Sequence, residues 1–220
     1  MIVLKNLSKT YKTKYSSLVA LNDIALTIEK GEFVSIVGRS GCGKTTLLNI
    51  IGLIDTFDEG EYFFDGVDVK TLKKNELAHF RGKNIGFVFQ SFHLLPELNC
   101  MENVGIALGY AKIKKRERER RARELLALVG MAENEKQYPN QLSGGQQQRI
   151  AIARAIAHDP SVVLADEPTG NLDYQNGLDV MALLQKLKDN GTTVVMVTHD
   201  VEFSRRADRI LTMKDGIFQK

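Results

Sequence analysis

The run from Phe33 to Ile51, FVSIVGRSGCGKTTLLNII, constrains this chain more than any other stretch. An apolar segment (33–37) leads into a glycine-rich loop (38–43), and Lys44-Thr45-Thr46 opens an apolar helix predicted over 44–51. Gly38-x-x-x-x-Gly43-Lys44-Thr45 fits the phosphate-binding loop pattern. Glycines at 38, 41 and 43 admit positive φ and let backbone N–H groups approach an oxyanion with no Cβ in the way. A helix that starts near Lys44 aims its unpaired amides and positive end at the same anion. Lys44 adds a mobile cation for the β- and γ-phosphates, and the Thr45 hydroxyl is a Mg²⁺ ligand of the right kind. With a strand before it and a helix after it, the loop reads as a nucleoside-triphosphate site.

The rest of the chain must supply a scaffold for that loop. At 220 residues it is long enough for a substantial core, and 26% charged with 43% apolar residues is ordinary for a soluble globular protein. A net charge of +3 gives no reason to invoke a nucleic-acid partner. Cys42 and Cys100 cannot form a disulfide framework, which fits a reducing compartment. No apolar run approaches the roughly 18 residues of a membrane span. The opening MIVLKNLSKTY has no signal-peptide pattern, so the expectation is a soluble intracellular chain.

Strands are predicted at 2–5, 18–28, 33–37, 61–64, 85–89, 162–165, 193–197 and 210–213, with a last short strand after the Lys214-Asp215-Gly216 turn. Helices are expected at 73–81, 102–130, 146–157, 174–190 and 201–207. Tyr11 falls in a polar stretch between the first two strands, and Leu94, Leu95 and Pro96 look exposed in a loop over 91–99. Arg and Lys alternate with Glu117 and Glu119 in the basic run 112–123, without aromatic residues, which describes a solvated helix face. Apolar strands alternating with helices imply a parallel sheet covered on both faces.

In such sheets ligands gather beyond the carboxyl ends of the strands. Here four apolar strands end at Gly38, Gln90, Asp166-Glu167 and His199. Asp166 is placed to hold Mg²⁺, Glu167 is the candidate general base, and His199 is a candidate hydrogen-bond partner of the γ-phosphate or, equally, a histidine satisfied by backbone. Ser143-Gly144-Gly145 opens a second helix with bare amides and a hydroxyl. A serine before a helix is usually a structural N-cap, whereas two glycines there suggest close approach of a ligand.

Leu142-Ser143-Gly144-Gly145-Gln146 makes the resemblance specific. Over essentially its whole length the chain resembles the nucleotide-binding domain of ATP-binding-cassette (ABC) proteins. The family's motifs stand in order: Walker A at 38–45, Q-loop Gln90, signature 142–146, Walker B at 162–167, D-loop Asn171-Leu172-Asp173 and H-loop His199. Tyr11 falls at the position that stacks on adenine. The resemblance implies an α/β fold with a phosphate-loop NTPase (RecA-like) core, mainly parallel in its sheet. An antiparallel β subdomain would come from 1–30 plus 60–70, and an inserted α-helical subdomain would span about 91–158, all within one ABC domain over 1–220. It implies ATP and Mg²⁺ as cofactors, with Gly38, Arg39, Ser40, Gly41, Cys42, Gly43, Lys44, Thr45 and Thr46 around the phosphates. Ser143, Gly144, Gly145, Gln146 and Asp173 would serve the nucleotide of a second copy in a head-to-tail dimer. Thr45, Gln90 and Asp166 would attend the metal, and Glu167, His199 and Gln90 the hydrolysis.

Within the family, DEPTGNLD (166–173), Phe89-Gln90-x-Phe92-x-Leu94-Leu95-Pro96 and Glu102-Asn103-Val104 are similar to the MacB/LolD/FtsE group. That likeness implies an ATPase at the cytoplasmic face of the membrane, acting on a separate permease for efflux or export, with an FtsE-like signalling role as the alternative. A soluble ABC ATPase acting on DNA or ribosomes fits less well, because neither a coiled-coil insertion nor a second cassette is present. Arg39 and Cys42 stand where Walker A more often has proline and serine. Cys42, between glycines and beside Lys44, is expected to be a reactive thiol that ATP protects.

Overall fold

The computed structural model describes residues 1–13, 15–110 and 113–219. Two sheets make the frame. Strands β1 (Ile2–Lys12), β2 (Ser17–Ile28), β4 (Glu59–Phe64) and β5 (Val67–Asp68) form an antiparallel sheet in the order β2-β1-β4-β5. Strands β3 (Phe33–Val37), β6 (Ile85–Phe89), β7 (Val162–Asp166), β8 (Thr193–Thr198), β9 (Arg209–Lys214) and β10 (Ile217–Phe218) form a second sheet. Its order is β10-β9-β3-β8-β7-β6, parallel throughout except for the β9–β10 hairpin. The fold is the α/β phosphate-loop NTPase architecture.

The uninterrupted apolar runs in the second sheet follow from burial on both faces. Side chains alternate with the strand period of two. Phe33, Val163, Ala165, Val194 and Met196 enter one core, with the helices α3 (Cys100–Tyr110), α4 (Lys115–Leu128), α5 (Gly144–Ala155) and α6 (Tyr174–Asp189). Val34, Ile36, Val162, Leu164, Val195 and Val197 enter the other, where α1 (Lys44–Ile51) lies between the two sheets. Helices α2 (Lys74–Asn84) and α7 (Val201–Ser204) complete the structure. Among the described residues no helix is long and apolar enough to cross a membrane.

Three local expectations need correction. Tyr11 lies inside β1, which runs to Lys12 and pairs with β2, Tyr11 opposite Leu18, so it is not in a connecting stretch. The expected single helix over 102–130 is two, α3 and α4; residues 111 and 112 lie outside the described residues. Leu94 is half-buried against the helical core, leaving Leu95 and Pro96 exposed. Asn103 explains this loop's shape. Fully buried, it accepts the Leu95 N–H and donates to the carbonyls of Leu95, Leu98 and Asn99.

The two sheets are tied across α1 by Tyr62, whose hydroxyl donates to the Ile51 carbonyl at 2.7 Å from a fully buried position. Carbonyls in a helix's last turn lack helical partners, so this bond supplies one. Burial pushes the Tyr62 phenol well above its ordinary value. Tyr62→Phe leaves that carbonyl dry and unpaired, and is expected to cost about 1 kcal/mol in urea unfolding, with an unchanged slope.

Candidate functional site

The parallel register brings the polar strand ends to one rim. Val37 is level with Thr198, Asp166 with Val197, and Phe89 with Asp166. The residues immediately following, or ending, these strands are therefore neighbours although they lie up to 161 positions apart in sequence (38 to 199). They open on a cleft of about 900 Å³, lined among others by Tyr11, Lys44, Thr45, Gln90, Glu167 and His199.

At the cleft floor the loop 38–43 turns through Gly43, whose φ of 105° is open only to glycine at low cost, and α1 begins at once with Lys44. Lys44 is buried, and its ammonium donates to the carbonyls of Gly38 (2.7 Å) and Arg39 (3.1 Å). The Thr45 hydroxyl donates to Asp166 Oδ1 at 3.4 Å. Burial raises the Asp166 carboxyl above its ordinary value; the Thr45 hydrogen bond opposes this, the Glu167 charge reinforces it and Lys44 opposes it. Among the described residues no three His, Cys, Asp or Glu side chains form a metal cage. Thr45 and Asp166 supply hard oxygens of the kind Mg²⁺ takes when substrate phosphates and waters complete its shell.

Glu167 has φ of 47°, unusual for a residue with a Cβ, and its N–H donates to the Val197 carbonyl at 2.9 Å. Its carboxylate is fixed by the Thr198 hydroxyl (3.0 Å), the His199 amide (3.3 Å) and His199 Nδ1 (2.9 Å). Gln90 faces Asn171, which accepts from Gln90 Nε2 at 3.1 Å and donates to the Gln90 carbonyl at 3.0 Å. Beyond Gln90, Phe92 and His93 both have positive φ, and Arg154 donates to their carbonyls.

Ser143, Gly144, Gly145, Gln146 and Asp173 are not in the lining of this cleft. Ser143 caps α5: its hydroxyl accepts the Gln146 N–H, and the Gln146 side chain accepts the Ser143 N–H. Asp173 likewise caps α6 through Asn176. Gly145 has a packing reason to be glycine, since a Cβ there would stand 2.1 Å from Asn176 Oδ1. Close approach of a ligand is therefore not needed to explain it. At Gly144 an added Cβ would make only ordinary contacts, the nearest with Leu172 Cδ2 at 3.4 Å. The Cys42 thiol is buried in the core with α1 and is not in the lining of the cleft.

The comparisons with known proteins agree with this geometry. The family model described as ABC transporter matches residues 21–170. An uncharacterised ABC transporter ATP-binding protein of Methanocaldococcus jannaschii, MJ1508, is 47% identical across 98% of this chain and 96% of its own. The macrolide export ATP-binding/permease protein MacB 2 of Aeromonas hydrophila is 46% identical across the full chain, which spans only 34% of that protein. A dimeric structure of the post-hydrolysis state of the ATP-binding cassette MJ0796, bound to ADP and Pi, superposes with a TM-score of 0.92 at 46% identity, covering 100% of this chain and 97% of that one. MJ0796 is also from M. jannaschii. The chain belongs to the ABC transporter family. It is an ATP-binding cassette that hydrolyses ATP, of the kind found in MacB and MJ0796.

One residue at this rim was not singled out from sequence. Gln148, on α5 and fully buried, donates to the carbonyls of Phe89 (3.3 Å) and Pro168 (2.6 Å), while its own Oε1 has no partner. These carbonyls flank Gln90 and Glu167, so one amide ties both strand ends to the helix that begins at Ser143. The Phe89 carbonyl also accepts the Phe92 N–H, but Pro168 would lose its donor. Gln148→Leu is expected to cost about 1 kcal/mol in denaturant unfolding and to lower kcat more than it raises KM for ATP.

Proposed function

We propose that this chain is the ATP-driven subunit of a membrane complex, coupling nucleotide-dependent dimerisation to a separate permease that exports a hydrophobic cargo. The observation that carries the proposal is the division of the nucleotide machinery. The phosphate loop, Asp166, Glu167 and His199 share one cleft, while the capped tip at Ser143-Gly144 stands outside it. A second copy, placed head to tail, would bring its tip to this cleft and enclose the triphosphate. The dimeric form of MJ0796 and the ATP-binding/permease description of MacB support this assembly. Attachment to the cytoplasmic membrane face would then be peripheral, through the permease. The exposed Leu95 and Pro96, held out by the Asn103 hydrogen bonds, are the proposed docking point for it.

In this assignment Tyr11 stacks on the adenine, while Lys44 and the amides of 38–46 (with Arg39, Ser40, Gly41, Cys42, Gly43, Thr45 and Thr46) bind the phosphates. Mg²⁺ would be held by Thr45 and Asp166, with Gln90 beside them, and when bound it neutralises charge on the phosphate oxygens. Glu167 orients the attacking water and takes its proton. His199 holds the Glu167 carboxylate at 2.9 Å and reaches the γ-phosphate from the same rim. From the partner copy, Ser143, Gly144, Gly145 and Gln146 close over the γ-phosphate, and Asp173 lies at the seam.

Glu167→Gln keeps the side chain's volume and its hydrogen bond from Thr198 but cannot accept the proton. Turnover is expected to fall by about 100-fold or more while equilibrium ATP binding stays within about threefold. Steady-state turnover beside calorimetric ATP binding checks this, and a variant that turns over normally would refute the assignment.

A further inference from the structure

Tyr11 is only 39% exposed, and its surroundings are more organised than a surface aromatic requires. Its hydroxyl donates to Asp55 Oδ2 at 2.6 Å. The other carboxylate oxygen of Asp55 accepts from Lys9 Nζ at 3.1 Å and from the Thr56 N–H at 2.7 Å. Lys9 is 7% exposed, is not in the lining of the cleft, and also donates to the Thr56 carbonyl at 2.6 Å. Lys9 and Tyr11 are two apart on β1 and so share a face, and the ammonium sits 5.1 Å from the centroid of the Tyr11 ring. A buried ammonium is costly unless paired, and here its ionic partner is the carboxylate that grips the tyrosine.

Asp55 is in turn fixed to the helix that carries the phosphate loop. The amides of Ile54 and Asp55 both donate to the Asn49 carbonyl on α1, at 2.9 and 3.2 Å. A rigid path therefore runs from Lys44 along α1 to Asp55 and on to the Tyr11 ring. Burial works to raise the Asp55 carboxyl, but the hydrogen bonds from Tyr11, Lys9 and the Thr56 amide hold it below its ordinary value, so it remains an ionised acceptor. Ionised acceptors make the stronger hydrogen bonds.

We propose that Asp55, braced by the buried Lys9, is a positioning residue that locks the Tyr11 ring at a fixed height above the phosphate loop and so sets the preference of the site for an adenine nucleotide over a bare triphosphate. This rests on Tyr11 being the base platform. Asp55 is not in the lining of the cleft; it acts through the ring. Thermal fluctuation of an unlocked ring costs base affinity and leaves the phosphate subsite, built from 38–46, as it was.

The test is calorimetric titration of the full chain with MgATP and, separately, with magnesium tripolyphosphate. The variants are Asp55→Asn, Tyr11→Phe, the double variant and Tyr11→Ala. Tyr11→Phe deletes the hydroxyl, and with it the bond to Asp55 and the contact with Thr46, without touching the Lys9 pairing, while Asp55→Asn keeps the acceptor's shape and removes its charge. Each is expected to raise Kd for ATP by roughly threefold to tenfold, with the tripolyphosphate Kd unchanged within twofold. The double variant should be no weaker than the weaker single, because both act on the same contact. The inference is overturned if both singles bind ATP as the parent does while Tyr11→Ala is weakened, if the two ligands weaken together, or if the losses multiply in the double. Unchanged ATP binding by Tyr11→Ala would instead remove the base platform itself, and the inference with it.

Discussion

A buried ammonium held by the loop it serves is the interaction on which the rest of this structure depends. Lys44 is 7% exposed, and its partners are the carbonyls of Gly38 and Arg39. Cation and loop thus fix each other: the two carbonyls turn inward to the ammonium, and that of Arg39 also accepts the Cys42 N–H across the loop. Desolvating an ammonium this far is tolerable only with such partners. The same loop delivers the first turn of α1, whose unpaired amides face the cleft. Everything else at the rim is placed relative to this cradle by a parallel register that sets Val37 beside Thr198, Val197 beside Asp166, and Asp166 beside Phe89.

Rigidity is distributed around the cradle by side chains that do no chemistry. Tyr62 secures the end of α1 to the antiparallel sheet, Gln148 ties the ends of β6 and β7 to α5, and Asn103 folds the loop after Gln90. Arg154 holds the two successive positive-φ residues, Phe92 and His93. The strained backbone at Glu167 sits where Thr198 and His199 fasten its carboxylate from two directions. Preorganisation of this kind means a reacting group need not be ordered at the moment of hydrolysis. The proposed second half of the site is equally prepared: Ser143 caps α5 and Asp173 caps α6, each through its side chain, which fixes the two helix starts.

Much of this was legible in the sequence because the phosphate loop and the strand ends are local signals. A glycine-rich turn before an apolar helix, and apolar runs that stop at Gln90, Asp166 and His199, need no knowledge of distant partners. The parts that stayed hidden are long-range. Tyr11 reads as loop because β1 near Lys12 is exposed and lacks an apolar alternation; only pairing with Leu18 reveals the strand. Asp55 is one acid among several after Gly52, and nothing short of the fold connects it to Tyr11, 44 positions earlier. Gln148 looks like one more glutamine in a run of three, yet it is buried and the other two are not. The glycine pair 144–145 suggests a ligand when read in sequence because the packing partner of Gly145, Asn176, lies on another helix.

The central claim is that one chain carries half of two nucleotide sites and that the α5 tip acts on a triphosphate held by another copy. Gly144 permits a direct measurement. A Cβ there makes only ordinary contacts, the nearest with Leu172 at 3.4 Å, and an acid in a first helical turn is locally favourable, so Gly144→Glu sets a negative charge against any phosphate at the tip without a backbone clash. Sedimentation equilibrium with ATP should then find Glu167→Gln dimeric and Glu167→Gln/Gly144→Glu monomeric, both with nucleotide bound. A dimer from the doubly substituted chain, or a monomer from Glu167→Gln with ATP bound, would contradict the account.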